Sequence, residues 1–289
     1  MPNLSFDHAL DLFSNSLSKS GKSINTIIAY KGDVNQLVKF LRSQLKISTV
    51  DAVQTSHVDK FKKYLTKEDY TAKSISRKLN SIKNFFSFLR DEKVIDTDPA
   101  SEVKHPKYEN DLPKVLKPIE YRALRDACRH DSRSTAIVEL MLQAGLRIKE
   151  IEILKLEHVQ PSKLIIETYE SHPQREVPLN ASASTAINRY LQQNRYESKS
   201  KHVFVTKTGR PLLARNIRSL LNRYFSKAGI TNAKVNDLRN TFVVFQLMSG
   251  VPIDVVSQVV GHKRISTTEK YLQLIEDKKE VKSIKLKEL

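Results

Sequence analysis

The chain has 289 residues, of which 39% are hydrophobic. This hydrophobic fraction is too high for a chain that is disordered throughout. No apolar run approaches the roughly 18 residues that span a bilayer. The chain has a single cysteine, Cys128, which excludes an internal disulfide and a CxxC zinc site. Its N-terminal segment lacks the basic residues followed by an apolar stretch that mark a signal peptide. We therefore expect a soluble cytoplasmic protein. The formal net charge of +17 favours a protein that binds nucleic acid over a cationic protein that does not. Residues 1–110 carry +5 of this charge and residues 111–289 carry +12.

Four helices with short loops are predicted for the first ~105 residues, because apolar side chains recur at helical spacing in four segments. These segments are residues 4–17, 24–41, 56–65 and 75–89, and Ser23 is placed to N-cap the second. The other faces of the fourth helix carry a set of basic residues: Lys73, Arg77, Lys78, Lys83 and Arg90. Such a face is either solvated or in contact with DNA phosphates; we take Lys73, Arg77, Lys78 and Lys83 as candidate DNA-binding residues.

Three prolines interrupt the chain after this helical part. Pro106, Pro113 and Pro118 fall within thirteen residues, with charged residues between them. Proline blocks helix continuation and stiffens an extended linker. We therefore predict an N-terminal domain over residues 1–108, a linker over 109–116 and a second domain over 117–289.

The second domain is predicted to be mostly helical, with one β-hairpin. Helices are expected near residues 119–129 and in the segment STAIVELMLQAGL. The β-prone run 164–166 and a second run at 175–179 flank a polar turn, which predicts a hairpin with a loop of several residues. Helical patterns dominate from residue 182 onward, so the predicted fold class is mainly α.

Two arginines, a histidine and a tyrosine stand out in this domain. Arg147 follows a Gly-Leu pair, Arg239 lies near a helix start, and Tyr271 follows His262 by nine residues. A guanidinium can bind two phosphate oxygens in a planar fork, and such preplaced donors stabilise charge that develops on phosphorus. A tyrosine hydroxyl can attack phosphorus and keep the bond energy as an ester, so resealing needs no ATP.

The segments that carry these residues, AGLRIKEIEIL, DLRNTFVVFQLMSGVPIDVVSQVVGH and GHKRISTTEKY, resemble the conserved boxes of the tyrosine recombinases, the phage-integrase and Xer family. The resemblance implies that Arg147 and Arg239 bind the scissile phosphate, that His262 contacts a nonbridging oxygen or assists proton movement, and that Tyr271 is the nucleophile. It implies site-specific recombination through a 3′-phosphotyrosine, either in chromosome-dimer resolution or in the integration and excision of a mobile element.

The same resemblance carries expectations for fold and partners. The N-terminal four-helix part resembles the family's SAM-like core-binding domain, and the two domains would form a C-shaped clamp around duplex DNA. The expected partners are double-stranded DNA and three further copies of this chain or of a related recombinase, as a tetramer on two DNA sites in the nucleoid. No metal or nucleotide cofactor is implied, and no membrane association.

The sequence departs from the family pattern at two positions. Asn236 stands where the second arginine box usually begins with histidine, and an asparagine can donate a hydrogen bond but cannot carry a proton. Aligning REVPLN on the second strand places Glu170 where the family has the hairpin lysine that protonates the leaving 5′ oxygen. Lys163 and His172 are the nearby candidates for that proton.

Three other functions remain open at this stage. The chain is alternatively a DNA-binding descendant with weakened cleavage, a basic helical protein with coincidental motifs, or a type IB topoisomerase that relaxes DNA without strand exchange. The C-terminal tail carries four apolar residues among lysines, and the resemblance implies that it docks on a neighbouring protomer: Val281, Ile284, Leu286 and Leu289.

Overall fold

The computed structural model of the chain describes residues 4–109 and 111–275. Their contacts divide the chain into two compact units, with the boundary between residues 110 and 111. In the described part, no helix is both long enough and apolar enough to cross a membrane. The apolar tail residues from Val281 onward lie outside the described residues.

The first unit consists of four helices, as the hydrophobic spacing predicts: α1 (Phe6–Lys19), α2 (Ile24–Gln44), α3 (Thr55–Lys67) and α4 (Ala72–Asp91). Three of them begin at a hydroxyl N-cap, because the side chains of Ser5, Ser23 and Thr71 each accept a hydrogen bond from a backbone N–H of the first turn. Phenylalanines from all four helices are buried in the core of the unit: Phe6 and Phe13 in α1, Phe40 in α2, Phe61 in α3, and Phe85 and Phe86 in α4.

The basic face that we predict on α4 differs from the one observed. Lys78 is buried, because it lies one turn from the core residues Ile75 and Ile82, and its ammonium binds the buried carboxylate of Asp33 at 3.1 Å. Arg77 is exposed but donates two hydrogen bonds to the same carboxylate. The expectation that Lys78 lies on a solvent-facing surface is therefore wrong, since its ammonium binds a carboxylate inside the unit. A DNA-binding role for this lysine stays a prediction.

The other two basic candidates lie nearer to solvent. Lys73 is exposed, and Lys83 is partly buried and donates to the Ser101 carbonyl oxygen at 2.9 Å. A DNA-binding role for these side chains stays a prediction.

The second unit is mainly helical. It begins with α5 (Pro118–Cys128), α6 (Ser132–Gln143) and the short α7 (Ile148–Ile153), followed by the hairpin and then by five further helices. These are α8 (Ala181–Arg189), α9 (Ala214–Lys227), α10 (Val235–Met248), α11 (Ile253–Val260) and α12 (Ser266–Glu269). A 3-10 turn (Leu156–His158) and a π-helical turn (Tyr190–Asn194) complete the described secondary structure of this unit.

The hairpin pairs β1 (Lys163–Ile166) with β2 (Arg175–Pro178) in antiparallel register, Leu164 opposite Val177. Leu164, Ile166 and Val177 are buried on one face, which anchors the hairpin to the unit. Arg175 points inward from the same face, with its side chain 8% exposed. The hairpin is thus the element that carries a charged side chain into the interior.

Candidate active site

Three guanidinium groups surround the C-terminus of α11. The last carbonyls of a helix have no partner within it, and cations at this end are favourable. Arg175 donates to the Val259 carbonyl at 2.8 Å, Arg147 and Arg239 both donate to Val260 at 3.1 and 2.7 Å, and Arg147 also donates to Gly261 at 2.6 Å. The backbone of α11 thereby fixes the positions of three cationic side chains that come from three different elements.

A single carboxylate holds two of these arginines together. Glu150, in α7, is fully buried and accepts hydrogen bonds at 2.8 Å from Arg147, from both terminal nitrogens of Arg175 and from the Tyr169 hydroxyl. These guanidinium charges and hydrogen bonds outweigh the effect of burial and lower the pKa of Glu150 from 4.5 to about 2. Three arginines against one carboxylate leave the cluster with excess positive charge, which suits an anion such as phosphate.

Two glycines allow the backbone to reach these guanidinium groups. Gly145 has φ +63°, and its carbonyl accepts from Arg239 at 2.6 Å. A Cβ at residue 145 would lie 2.5 Å from a ring carbon of Phe242, so no other residue fits there. Gly261 ends α11 at φ +67°, and a Cβ there would lie 3.0 Å from the Arg175 guanidinium.

Arg239 is the most enclosed of the three arginines. It is 3% exposed, and burial together with the neighbouring Arg147 charge lowers its pKa to about 9. Two of its five N–H donors bind the carbonyls of Gly145 and Val260, and the other three have no partner among the described residues. These donors are available to a bound anion.

His262 and Tyr271 lie beside this cluster. Their rings stack with centroids 6.1 Å apart, and Tyr271 is 6% exposed. Burial and the positive charges of Arg239 and Arg147 lower the pKa of His262 to about 3, so the imidazole is neutral at pH 7. Burial raises the pKa of Tyr271, and the two arginine charges oppose that rise.

The Tyr271 hydroxyl binds an asparagine of the second arginine box. It donates to Oδ1 of Asn240 at 2.9 Å. The side chain of Asn236 donates to the same oxygen at 3.1 Å. The residue at the departure from the family pattern is therefore joined to the hydroxyl through Asn240.

The hairpin turn places the candidate proton donors differently from one another. Glu170 is exposed at the tip, with φ +50°. The ring of His172 stacks on that of Tyr169, with the two ring centroids 4.7 Å apart. Its Nδ1 is buried without a hydrogen-bond partner among the described residues. Burial and the charges of Arg147 and Lys263 lower its pKa. Lys163 instead binds Glu176 at 2.8 Å. His172, unlike Lys163, therefore lies within electrostatic reach of the arginine cluster.

A cavity of about 580 Å³ opens between this turn and the end of α11. Its walls are residues 172–176 of the hairpin and five residues at and after the end of α11: Gln258, Val259, Gly261, His262 and Lys263. In the described part of the chain, no group of three or more His, Cys, Asp or Glu side chains is placed to hold a metal ion.

The structure brings all four main candidates together: Arg147, Arg239, His262 and Tyr271. Glu150, Arg175 and Asn240 also belong to this cluster, and they are not among the residues predicted from the sequence motifs. Glu150 follows Arg147 by three residues at the start of a helix, a spacing at which side chains meet, so a signal for it was present. Arg175 is 25 residues from Glu150 along the chain, and only the tertiary fold joins them.

Replacing Glu150 by alanine should lower the free energy of unfolding by about 3–5 kcal/mol, because it leaves buried guanidinium groups without their counter-charge. Urea unfolding at pH 7 measures this. Glu152→Ala, on the same helix, removes only the pair with the half-exposed Lys149 and should cost less than about 1 kcal/mol. Equal losses in the two variants would contradict the role of Glu150.

The same carboxylate predicts a direction for the dependence of stability on pH. The folded-state pKa of about 2 lies below the ordinary value of 4.5, so the stabilisation by Glu150 is complete above pH 4.5 and is lost as pH falls towards 2. The difference in stability between the wild type and Glu150→Gln should shrink over that interval.

Comparisons with known proteins agree with this geometry. Residues 114–278 match the phage integrase family, and residues 10–93 match the phage integrase N-terminal SAM-like domain. The chain is 30% identical over 270 residues to tyrosine recombinase XerC of Halalkalibacterium halodurans, with 89% of each chain covered. It is 30% identical over 263 residues to tyrosine recombinase XerD of Staphylococcus saprophyticus, with 88% of this chain and 89% of the relative covered.

A solved structure shares the fold at low identity. A lambda integrase (75–356) dimer bound to a COC′ core site superimposes with a TM-score of 0.76 at 14% identity, covering 93% of this chain and 95% of that one. The family model matches more than half of the chain, and the identity to the XerC relative is 30% over most of its length. These two matches assign the chain to a family. This protein belongs to the phage integrase family, the tyrosine recombinases that carry out site-specific DNA recombination.

Proposed function

We propose that the protein cuts and rejoins DNA through a 3′-phosphotyrosine formed on Tyr271. The observation that carries this proposal is the convergence of three guanidinium groups around the end of α11, beside the stacked pair of His262 and Tyr271. Arg147 and Arg239 bind the nonbridging oxygens of the scissile phosphate with N–H donors that have no partner among the described residues. Glu150 and Arg175 hold Arg147 in place and do not touch the DNA.

The chemical step balances without a cofactor. The Tyr271 oxygen forms a bond to phosphorus, the bond from phosphorus to the 5′ oxygen breaks, and the DNA 3′ end becomes an ester of the tyrosine. The phenol gives up its proton and the departing 5′ oxygen takes one. Attack by a 5′ hydroxyl of another strand reverses the step and joins the strands. His262, neutral at pH 7, hydrogen-bonds a phosphate oxygen or accepts the phenol proton.

A trapped cleavage reaction tests the proposal. The preferred site is first selected from a random duplex pool and then prepared with a nick that lets the cut fragment diffuse away. The protein should form an adduct with this DNA that survives denaturing gel electrophoresis, also in EDTA. DNA binding without any adduct would favour the descendant with lost cleavage.

We infer that the leaving 5′ oxygen takes its proton from His172. The supporting observations are its Nδ1, which is buried without a partner in the described part of the chain, and its place in the wall of the cavity with Arg175 and His262. Lys163 is instead paired with Glu176. A phosphate anion near the ring favours the protonated imidazole. His172→Ala should slow cleavage of normal DNA by about 10²–10⁴-fold but leave cleavage unchanged for a substrate with sulfur at the 5′ bridging position, because a thiolate leaves without a proton.

Two further variants serve as controls for this prediction. Lys163→Ala should leave both rates near the wild type, and Glu170→Lys in the His172→Ala background should accelerate only the normal substrate. Equal slowing of both substrates by His172→Ala would show that His172 is not the acid.

Affinity for nonspecific DNA should fall by roughly 10³-fold or more between 50 and 200 mM salt if about six phosphates are contacted. The physical reason is the release of counterions from the DNA by a chain that carries a net charge of +17, distributed over both units. Fluorescence anisotropy with a random duplex measures it. A flat salt response would contradict phosphate contacts spread over both units.

We further propose that the protein acts in the cytoplasm on nucleoid DNA, as a tetramer with copies of itself or with a related recombinase on two DNA sites. Its relatives are named XerC and XerD, and one solved neighbour is a lambda integrase tetramer bound to a Holliday junction. Chromosome-dimer resolution and mobile-element integration both use this reaction. Genomic neighbourhood separates them, since transposon functions next to the gene favour the second.

A further inference from the structure

The resting position of the Tyr271 hydroxyl is set by one amide group. Tyr271 and Asn240 are each 6% exposed, and the hydroxyl donates to Oδ1 of Asn240 at 2.9 Å. Nδ2 of Asn240 donates to the carbonyl of Lys114 at 2.9 Å. Because the carbonyl accepts only from the nitrogen end of the amide, the oxygen end must face the tyrosine.

The Lys114 carbonyl is itself a fixed acceptor. The Lys114 ammonium donates to the Asn232 carbonyl at 2.8 Å. Two residues later, the Leu116 N–H donates to the Thr241 hydroxyl on α10 at 2.8 Å. These bonds hold the segment 114–116 against the same helix that carries Asn240, so the amide has one orientation in this structure.

This arrangement favours the neutral phenol at rest. An amide oxygen accepts a hydrogen bond but takes no proton, so Asn240 cannot activate Tyr271 as a base. Asn236 occupies the same oxygen at 3.1 Å, which completes its hydrogen bonding. The Tyr271 proton must therefore leave this satisfied, buried hydrogen bond for another acceptor when the oxygen attacks a phosphorus atom held by Arg147 and Arg239.

We propose that Asn240 is the positioning residue of the nucleophile: its side-chain amide, oriented by the Lys114 carbonyl, holds the protonated Tyr271 hydroxyl in a hydrogen bond that attack must release. This inference rests on the proposed role of Tyr271. It makes Asn240 a restraint on the cleavage step, separate from the arginines that bind the phosphate.

Chemical modification of the DNA-free protein tests the restraint. In Asn240→Ala, the rate of Tyr271 acetylation by N-acetylimidazole, followed by peptide mass spectrometry, should rise about three- to ten-fold, as expected for loss of one buried neutral hydrogen bond. Tyr190, which is fully buried and bonded to the Val205 N–H, is the internal control and should not change. Asn240→Gln keeps both the amide oxygen that accepts from Tyr271 and the amide nitrogen that donates to the Lys114 carbonyl, so its Tyr271 should react no faster than that of the wild type.

Single-turnover adduct formation at saturating DNA gives a second readout that a merely structural role does not predict. Asn240→Ala should form the adduct two- to ten-fold faster than the wild type, and Asn240→Gln, which keeps the amide, should not. If Tyr190 also becomes reactive in Asn240→Ala, the volume-conserving variant Asn240→Leu is used instead of the alanine variant. An unchanged Tyr271, a rise at Tyr190 in Asn240→Leu, or equal effects of alanine and glutamine would overturn the inference.

The proposed function fails by a different outcome. An adduct formed by Tyr271→Phe would show that another residue attacks the DNA. A second outcome separates the two claims. If Tyr271→Phe forms no adduct and Asn240→Ala has wild-type rates of acetylation and adduct formation, Tyr271 stays the nucleophile and only the role of Asn240 is removed.

Discussion

DNA cleavage by Arg239→Ala should be at least about 10²–10³-fold slower than cleavage by the wild type, the loss expected for removal of one preplaced donor to a charged transition state. The effect is large because Arg239 is only 3% exposed. Water therefore cannot take the place of its guanidinium in stabilising the charge of the transition state. Single-turnover adduct formation at saturating DNA isolates the chemical step from binding.

Arg239→Lys is the matched control for that experiment. Lysine keeps the positive charge but lacks the planar fork that binds the carbonyls of Gly145 and Val260 while presenting further donors to phosphate. It should restore only part of the rate. Urea unfolding of both variants separates loss of fold from loss of chemistry. Full activity of a folded Arg239→Ala protein would remove Arg239 from the site.

Tyr271→Phe should form no covalent adduct with DNA while binding it with nearly unchanged affinity. The substitution removes only the hydroxyl, and the phenyl ring still packs with Val260 and Ile275 in the same buried cluster. The two measurements are a denaturing gel for the adduct and anisotropy for affinity.

Tyr169→Phe is the control for that result. Its hydroxyl also contacts a residue of the site, Glu150 at 2.8 Å, but it is not placed as the nucleophile. This variant should still form the adduct. An adduct that persists in Tyr271→Phe and disappears in Tyr169→Phe would reverse the assignment of the two tyrosines.

Much of the fold was predictable because its signals are local. The four N-terminal helices follow from apolar spacing, the cap at Ser23 follows from its place before the second of them, and the hairpin follows from two β-prone runs around a polar turn. The family was predictable because its motifs are contiguous. Lys78 shows the limit of this approach, since helical spacing alone does not say that Asp33, 45 residues away, neutralises it in the interior. The clamp arrangement of the two domains stays a prediction.

The candidate site divides in the same way. Arg147, Arg239, His262 and Tyr271 have local motifs, but what holds them is nonlocal. Arg175 reaches Glu150 across 25 residues, and Asn240 reaches Tyr271 across 31. Composition and periodicity carry no information on such pairs, because they form only when α7, the hairpin, α10 and α11 pack together.

The most direct test of the central claim is to identify the amino acid that bears the DNA. The wild-type adduct is trimmed with nuclease, digested with protease and sequenced by tandem mass spectrometry. We predict a nucleotide esterified through its 3′ phosphate to the oxygen of Tyr271. A nucleotide found on any other residue, or on the 5′ side of the cut, would contradict cleavage through a 3′-phosphotyrosine at this position.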